Sequence, residues 1–306
     1  MNLLYLYSNK TGLQRKFRKH QKILRRLAKT FPNIESHQTK SVEDLSNCCR
    51  DAKKNGYDAI VVCGGDGTLK QAVTAIADLS KEERPIIGYI PMGTVNDSGK
   101  SFGVKGSIRQ ALKVLVKQQV YDIDICKAND EYFTFVAAIG QFTDISYSVP
   151  RKRKKYFGRF AYYDVAIKEV FTKRRIQVHL KCDQGEFDFE TPFLMCLNGV
   201  NVGGFRVNPH NSLFDGKMDI YITPTTIFNG LTNYIFHKKR ITVIHTSHAE
   251  ITTSEKGSWC LDGEQGMNGN IEISVLPAHI QVFGSFKTFD KINIPSKTQL
   301  FFKYFL

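Results

Sequence analysis

Val61-Val62-Cys63-Gly64-Gly65-Asp66-Gly67-Thr68 takes an apolar, β-favouring run into a glycine-rich turn, and a helical pattern over Leu69–Leu79 follows it. Strand, glycine turn and helix in that order describe a loop at the carboxyl end of a buried strand. Gly64, Gly65 and Gly67 can adopt positive φ, so backbone N–H groups there can approach a polyphosphate. The N-terminus of the following helix adds a partial positive charge. Asp66 is at odds with a pure anion cradle, because a carboxylate repels phosphate. It fits if a divalent cation bridges the two, or if it helps a nearby hydroxyl lose its proton. Taken alone, Gly-Gly-Asp-Gly also suits a simple tight turn. It is not a P-loop, since the G-x-x-x-x-G-K-[ST] spacing is absent.

Working outward, the flanking segments repeat the same unit. Asn2–Ser8, Asn33–His37, Ala59–Cys63 and Pro85–Ile90 read as strands, and Gln14–Lys29, Val42–Lys54, Leu69–Leu79 and Ser107–Lys117 as helices. Repeated βαβ predicts a parallel sheet with ligands at the carboxyl ends of its strands. A second glycine element, Pro91-Met92-Gly93-Thr94-Val95-Asn96-Asp97, follows the strand ending at Ile90 and would emerge at the same edge. After Val120 the texture changes. Tyr132–Ala138, Ile176–Lys181, Glu186–Glu190, Thr191–Leu197, Met218–Ile222, Ile241–His245 and Ile271–Leu276 read as strands between Gly, Pro and Asn turns. Helical stretches near Phe160–Thr172 and Thr226–His237 interrupt them. The expected fold class is α/β with two domains. Residues 1–124 form a parallel α/β nucleotide-binding domain and residues 125–290 a mostly antiparallel β-rich one, with the active site in the cleft between. The aromatic C-terminal residues, about 291–306, are expected to pack back on a domain, with membrane insertion as the alternative.

Charge narrows the partners. The 306 residues carry 43 Lys and Arg against 29 Asp and Glu, a net +14 that admits nucleic acid, an anionic membrane or an anionic small substrate. Ten basic and three acidic residues between Asp144 and Arg175 supply half of that excess, with Tyr147, Tyr156, Phe157, Phe160, Tyr162, Tyr163 and Phe171 interleaved. Such a stretch suits a membrane headgroup layer, a stacked single-stranded nucleic acid, or a solvated helix face whose aromatics pack inward. No helix-turn-helix, zinc-finger or RNP pattern supports nucleic acid. No apolar run approaches the roughly 18 residues that span a bilayer, and Met1–Tyr7 lacks the basic flank of a secretory signal. Seven scattered cysteines without C-x-x-C argue against a disulfide framework and for a reducing cytosol. His245 and His248, three apart in one strand-like stretch, would face opposite sides and hold no metal. Cys63 is expected to be an inert core thiol.

Gly64-Gly65-Asp66-Gly67-Thr68 resembles the nucleotide motif shared by diacylglycerol kinases, sphingosine kinases, NAD kinases and phosphofructokinases. Gly93-Thr94-Val95-Asn96-Asp97 narrows the resemblance to the lipid kinase branch, as in the soluble bacterial diacylglycerol kinases. Further matches follow in order: Asp124 before Cys126-Lys127, Asn198-Gly199 with Gly203-Gly204, Asp215-Gly216 with Asp219, and Leu261-Asp262-Gly263-Glu264.

The resemblance implies ATP as phosphoryl donor, bound by Asn9, Lys10, Thr11 and Gly12 after the first strand and by Thr39 after the second. It extends that site to Gly64, Gly65, Asp66, Gly67 and Thr68 and to Gly93, Thr94 and Asn96. Glu264 matches the position of the general base. Asp66, Asp97 and Asp124 match acidic partners of a catalytic Mg²⁺ and its waters, and Asp262 in the Glu264 turn joins the catalytic set. Asp215 matches a separate structural Mg²⁺ site completed by the backbone carbonyls of Ser212 and Lys217. The implied activity is an ATP- and Mg²⁺-dependent lipid kinase, converting diacylglycerol to phosphatidic acid. The alternatives are another lipid alcohol (a sphingoid base, a monoacylglycerol or a polyprenol) or a catalytically silent lipid- or nucleotide-binding relative. A substrate held in a bilayer requires docking, for which Arg151, Lys152, Arg153, Lys154 and Lys155 with their aromatic neighbours are the expected surface. The expected location is therefore cytoplasmic, peripheral at the inner face of the membrane, with no nucleic-acid partner; a homodimer is compatible with the resemblance. Four departures from the family pattern are Lys10 for Pro, Lys70 for Asn, Ser98 for an apolar or aromatic residue and Phe205 for a third Gly. Lys70 is expected to point to solvent, with a phosphate contact as the alternative.

Overall fold

The computed structural model describes residues 1–8, 14–93, 96, 99, 102–104, 107–140, 175–199, 201–202, 205–206, 212–223, 242–254 and 257–285. The basic segment 151–155, the helical stretches read at 160–172 and 226–237, and the C-terminal residues 291–306 lie outside them.

The first part is the expected βαβ series. β1 (Asn2–Ser8), β2 (Asn33–Thr39), β3 (Ala59–Gly64) and β4 (Ile86–Pro91) are parallel in the order β2-β1-β3-β4. α1 (Gln14–Leu27), α2 (Val42–Arg50), α3 (Asp66–Ala77) and α4 (Ile108–Lys117) accompany them. Capping explains the starts. Ser41 Oγ accepts the Asp44 N–H at 3.0 Å to open α2, and Ser107 Oγ accepts that of Gln110 at 3.3 Å to open α4. α3 begins at Asp66, a turn earlier than the apolar periodicity indicates, because Gly65 takes the extended N-cap conformation. Val61 and Val62 of β3 are fully buried among Leu3, Ile60, Ile76 and Ile87. A strand buried on both faces needs the continuous apolar run seen there.

β5 (Val120–Ala128) turns back through β6 (Glu131–Phe133) into β7 (Val136–Gly140). Tyr132–Ala138, read as one strand, is thus two, and the break has a distant cause. The Asp262 carboxylate accepts the N–H groups of Thr134, Phe135 and Val136 at 2.7, 2.9 and 3.0 Å, which takes them out of a ladder. β8 (Ile176–Cys182), β9 (Gly185–Thr191) and β10 (Phe193–Leu197) follow, then the short pair β11 (Asn201–Val202) and β12 (Phe205–Arg206). β13 (Met218–Thr223), β14 (Thr242–Thr246), β15 (His248–Thr253), β16 (Ser258–Leu261), β17 (Glu264–Asn268) and β18 (Ile271–Phe283) complete the described chain. An antiparallel sheet β14-β13-β10-β7-β16-β17 packs around the buried Trp259, whose indole donates to the Gly269 carbonyl at 2.8 Å.

β18 is the structural surprise. The sequence reads as a strand only as far as Leu276, yet it continues past Pro277 to Phe283. Its first half pairs with β15, its end touches β4, and β5 lies antiparallel along both halves. The register shifts between Leu276 and Ile280, where Ala278 sits at φ 47°. A bulge there removes the ladder position that proline cannot fill. β18 thereby links the parallel strands to β15, β8 and β9 in a single sheet. The two larger clusters of buried side chains meet along β5 and β18, with the change falling between Ile125 and Cys126 and between Val275 and Ile280, and Ala138, Met195 and Leu197 form a small third cluster.

His245 and His248 do not share a strand. His245 is the penultimate residue of β14 and His248 the first of β15, with Thr246 and Ser247 between them. Among the described residues no helix is long and apolar enough to cross a membrane, and all seven cysteines are free.

Candidate active site at the glycine loops

The four parallel strands end side by side, with Ser8 beside Thr39, Tyr7 beside Cys63 and Gly64 beside Pro91. The loops that leave them therefore share one edge of the sheet. The two glycine elements are in van der Waals contact there. A Cβ on Gly93 would lie 2.8 Å from Gly65 Cα, so the second loop accommodates no side chain at the crossing, whereas one on Gly65 would make an ordinary 3.5 Å contact with Gly93 Cα. The Met92 N–H donates to the Gly64 carbonyl at 2.7 Å, which laces the loops together. The buried Tyr89 hydroxyl lies 3.1 Å from that carbonyl and 3.2 Å from Asn96 Oδ1. Asn96, at φ 53°, accepts the Gly93 N–H and donates to the Gly93 carbonyl, each at 2.8 Å. Its side chain thus shapes the loop from within. Burial first, and then the Asp66 charge, push the Tyr89 phenol well above its ordinary range, so it stays protonated and can keep donating.

Glu264 reaches the same place from the other end of the chain. β16 and β17 form a hairpin whose two turn residues, Asp262 and Gly263, both have positive φ, at 51° and 86°. That is the two-residue turn favoured by the strand twist, and it ejects Glu264 at a defined point. A Cβ on Gly67 would lie 2.8 Å from Glu264 Oε1, so the carboxylate sits against the first turn of α3, next to Asp66. Lys70, one turn further along α3, does not point to solvent. Its ammonium donates to the Leu261 carbonyl at 3.0 Å and lies 3.7 Å from Glu264 Oε2, with only 13% of its side chain exposed. The sequence held no local signal for this contact, since the nearer partner, Leu261, is 191 residues from Lys70.

The other candidates fall as follows. Thr39 is buried at the end of β2 and its hydroxyl donates to the Tyr7 carbonyl at 3.3 Å. Thr68 lies in the first turn of α3. Asn9, Lys10, Thr11, Gly12, Thr94 and Asp97 lie outside the described residues, as do Ser98 and the side chain of Phe205. Asp124 is 1% exposed, and its two oxygens accept the N–H groups of Gly216 at 2.7 Å and Ala278 at 2.8 Å. It clasps the 212–217 turn to the bulge of β18. Asp262 is fully committed to the β6–β7 break. Burial pushes its carboxyl up, against those N–H bonds and the Lys70 charge that pull it down. Of the proposed carboxylates that are described, Asp66 and Glu264 are the two at the glycine loops.

Asp215 stands in a second acidic neighbourhood. Its Oδ1 accepts the Lys217 N–H at 3.1 Å, and the Ser212 hydroxyl accepts that of Phe214 at 3.1 Å. Burial raises the Asp215 carboxyl, and the Asp124 and Asp219 charges raise it further. An excess of negative charge on oxygen donors is the environment a hard divalent cation relieves, so the turn fits the group expected there. Asp219 is paired with His245, Oδ1 to Nδ1, at 2.7 Å. That bond raises the His245 pKa above its ordinary value. Because the folded value is the higher one, the pair stabilises the fold fully below the unfolded value, about pH 6.5, and the gain fades as pH rises through the folded value. In urea unfolding, the deficit of His245→Asn relative to wild type should therefore be largest in mild acid and close in alkali; a deficit that grows with pH would contradict the pairing.

Comparison with known proteins identifies the family. A family model described as the diacylglycerol kinase catalytic domain matches residues 2–128. The chain is 30% identical over 287 residues to a diacylglycerol kinase of Staphylococcus aureus (strain MRSA252), covering 91% of this chain and 90% of that one. It is 28% identical over 288 residues to a diacylglycerol kinase of Bacillus subtilis (strain 168), covering 90% and 93%. A crystal structure of a diacylglycerol kinase from Bacillus anthracis superposes with a TM-score of 0.78 at 26% identity, covering 93% of this chain and 97% of that one.

Proposed function

Since the chain belongs to the diacylglycerol kinase family and is a lipid kinase, we propose that it transfers the γ-phosphoryl group of ATP to the free hydroxyl of diacylglycerol. The observation that carries this reading is the meeting of Glu264 with the interlocked glycine loops at the N-terminus of α3. The loops offer backbone N–H groups and a helix N-terminus to a polyphosphate, and their missing side chains leave room for it. Glu264 presents a carboxylate beside that cradle, where an alcohol proton can be taken. As the hydroxyl oxygen bonds to the γ-phosphorus, the bond from that phosphorus to the bridging oxygen breaks. ADP leaves and the alcohol proton passes to Glu264. Asp66 and Asp97 are the residues we assign to hold catalytic Mg²⁺, which would supply neutralisation of phosphate charge when bound, while Asp124 clasps the 212–217 turn to β18. Asp215, with the Ser212 and Lys217 carbonyls, is assigned to a structural Mg²⁺.

Lys70 is the positioning residue of this arrangement. By bonding the Leu261 carbonyl and facing Glu264, it fixes the hairpin against α3. Lys70→Met should lower kcat about tenfold or more, and Lys70→Arg should recover part of the loss. Equal kcat in Lys70→Met and wild type would remove Lys70 from the arrangement.

The names of the relatives favour diacylglycerol over sphingoid bases, monoacylglycerols and polyprenols. The deciding experiment presents radiolabelled ATP, Mg²⁺ and each lipid in mixed micelles to the purified protein. Labelled phosphatidic acid is the expected main product. Preference for another lipid would replace the substrate, and no labelled lipid across the panel would sink the kinase reading. Arg151–Lys155 is the proposed dock on the inner membrane face. Binding to anionic vesicles should weaken with salt and on neutralising those five residues, and salt-insensitive binding would reject the dock.

A further inference from the structure

The outer edge of the parallel strands holds a side-chain cluster that phosphoryl transfer does not use. β2 is the last strand on that side, and α2 packs against it. His37 of β2 places Nε2 3.2 Å from each carboxylate oxygen of Asp44, in the first turn of α2. Cys48, one turn further along the same helix face, has its Sγ 3.7 Å from Asp44 Oδ1. The nitrogen, oxygen and sulfur donors all lie within 4.8 Å of one another. Ligand atoms about 2.0–2.3 Å from a tetrahedral zinc stand roughly 3.3–3.7 Å apart, so the His37–Asp44 and Asp44–Cys48 pairs are already near ligating separation. Asp44 is also pre-oriented, because its Oδ2 accepts the Lys40 N–H at 2.7 Å. Orientation of a ligand by a second hydrogen bond is a recurrent feature of metal sites.

We propose that His37, Asp44 and Cys48 bind a zinc-class divalent cation, with a fourth position open to water. One imidazole, one carboxylate and one thiolate suit a borderline cation. Mg²⁺ and Ca²⁺ prefer oxygen throughout, which sets this site apart from the Asp215 turn. Asp51 is a further negative charge close to Cys48 and favours cation entry. Ligation displaces the Cys48 thiol proton to solvent. The bound cation would pin β2 to α2 two residues before Thr39, at the rim of the nucleotide edge.

The test is a Co²⁺ titration of the metal-free full-length protein followed by absorption spectroscopy. With excess Mg²⁺ present to fill the oxygen sites, binding of one Co²⁺ per chain is expected, with a thiolate-to-cobalt charge-transfer band that Zn²⁺ displaces. Cys48→Ser should abolish the band, His37→Gln should weaken Co²⁺ binding about tenfold or more, and Cys182→Ser should change neither. His37 is partly exposed, so His37→Gln remains informative if Cys48→Ser fails to fold. The absence of a band in wild type, or a band that survives Cys48→Ser or His37→Gln, overturns the site. The cluster would then be a His37–Asp44 ion pair beside a protonated thiol.

Discussion

Glu264→Gln is expected to lower kcat by about 10²–10⁴-fold while leaving the KM for ATP close to that of wild type. The substitution keeps the shape of the side chain, and Glu264 is more than half exposed, so the fold has little to lose. Lys70 keeps its bond to the Leu261 carbonyl, and Gln can occupy the same place beside its ammonium, but the amide cannot take the alcohol proton. The loss therefore belongs to the chemical step. Steady-state kinetics with saturating lipid, together with nucleotide-binding calorimetry, separates the two parameters. Turnover equal to wild type would reject Glu264 as the base; a rise in KM with unchanged kcat would make it a binding residue.

Gly93→Ala is expected to be nearly as damaging by a different route. The added methyl would meet Gly65 Cα and Asn96 Oδ1, each at 2.8 Å. Neither can swing aside, because one is backbone and the other accepts the Gly93 N–H. The two glycine loops must part, and a displacement near 1 Å in a positioning element costs on the order of 10²-fold in rate. Overpacking of this kind also costs about 1–3 kcal/mol of stability. Calorimetry with ATP should show weaker binding in Gly93→Ala and none of that loss in Gly56→Ala, where a Cβ meets nothing within 4 Å and the backbone strain at φ 84° lies outside the glycine loops. Wild-type affinity in Gly93→Ala would mean that the loop crossing does not form the nucleotide cradle.

How far such residues can be read from sequence depends on whether their partners are local. β3 and the turn after it are legible because an apolar run, three glycines and a helical period occur within about twenty residues. The same holds for the strand before Gly93. Lys70 is illegible for the opposite reason: on a solitary amphipathic helix it belongs to the polar face, and its partners Leu261 and Glu264 arrive from a distant hairpin. The split between β6 and β7 is likewise set by Asp262, which supplies what the Thr134, Phe135 and Val136 N–H groups lack. Pro277 reads as the end of a strand, and the chain passes it because Asp124 takes the Ala278 N–H inside the bulge. Asp124 and Asp262 illustrate a further limit. A motif acid and a buried acid serving the backbone look the same in a sequence, and the hydrogen bonds separate them.

The path of β18 also bears on how the protein is made. Residues 271–283 border strands from both halves, yet a ribosome delivers them after almost everything they touch. Until then β4 has an open flank and β5 lacks its longest neighbour, so the nascent chain must wait with apolar edges uncovered. Ordering of both cores is thus coupled to a late event. Translation that stalls before residue 271 should yield chaperone clients rather than a free-standing nucleotide-binding unit.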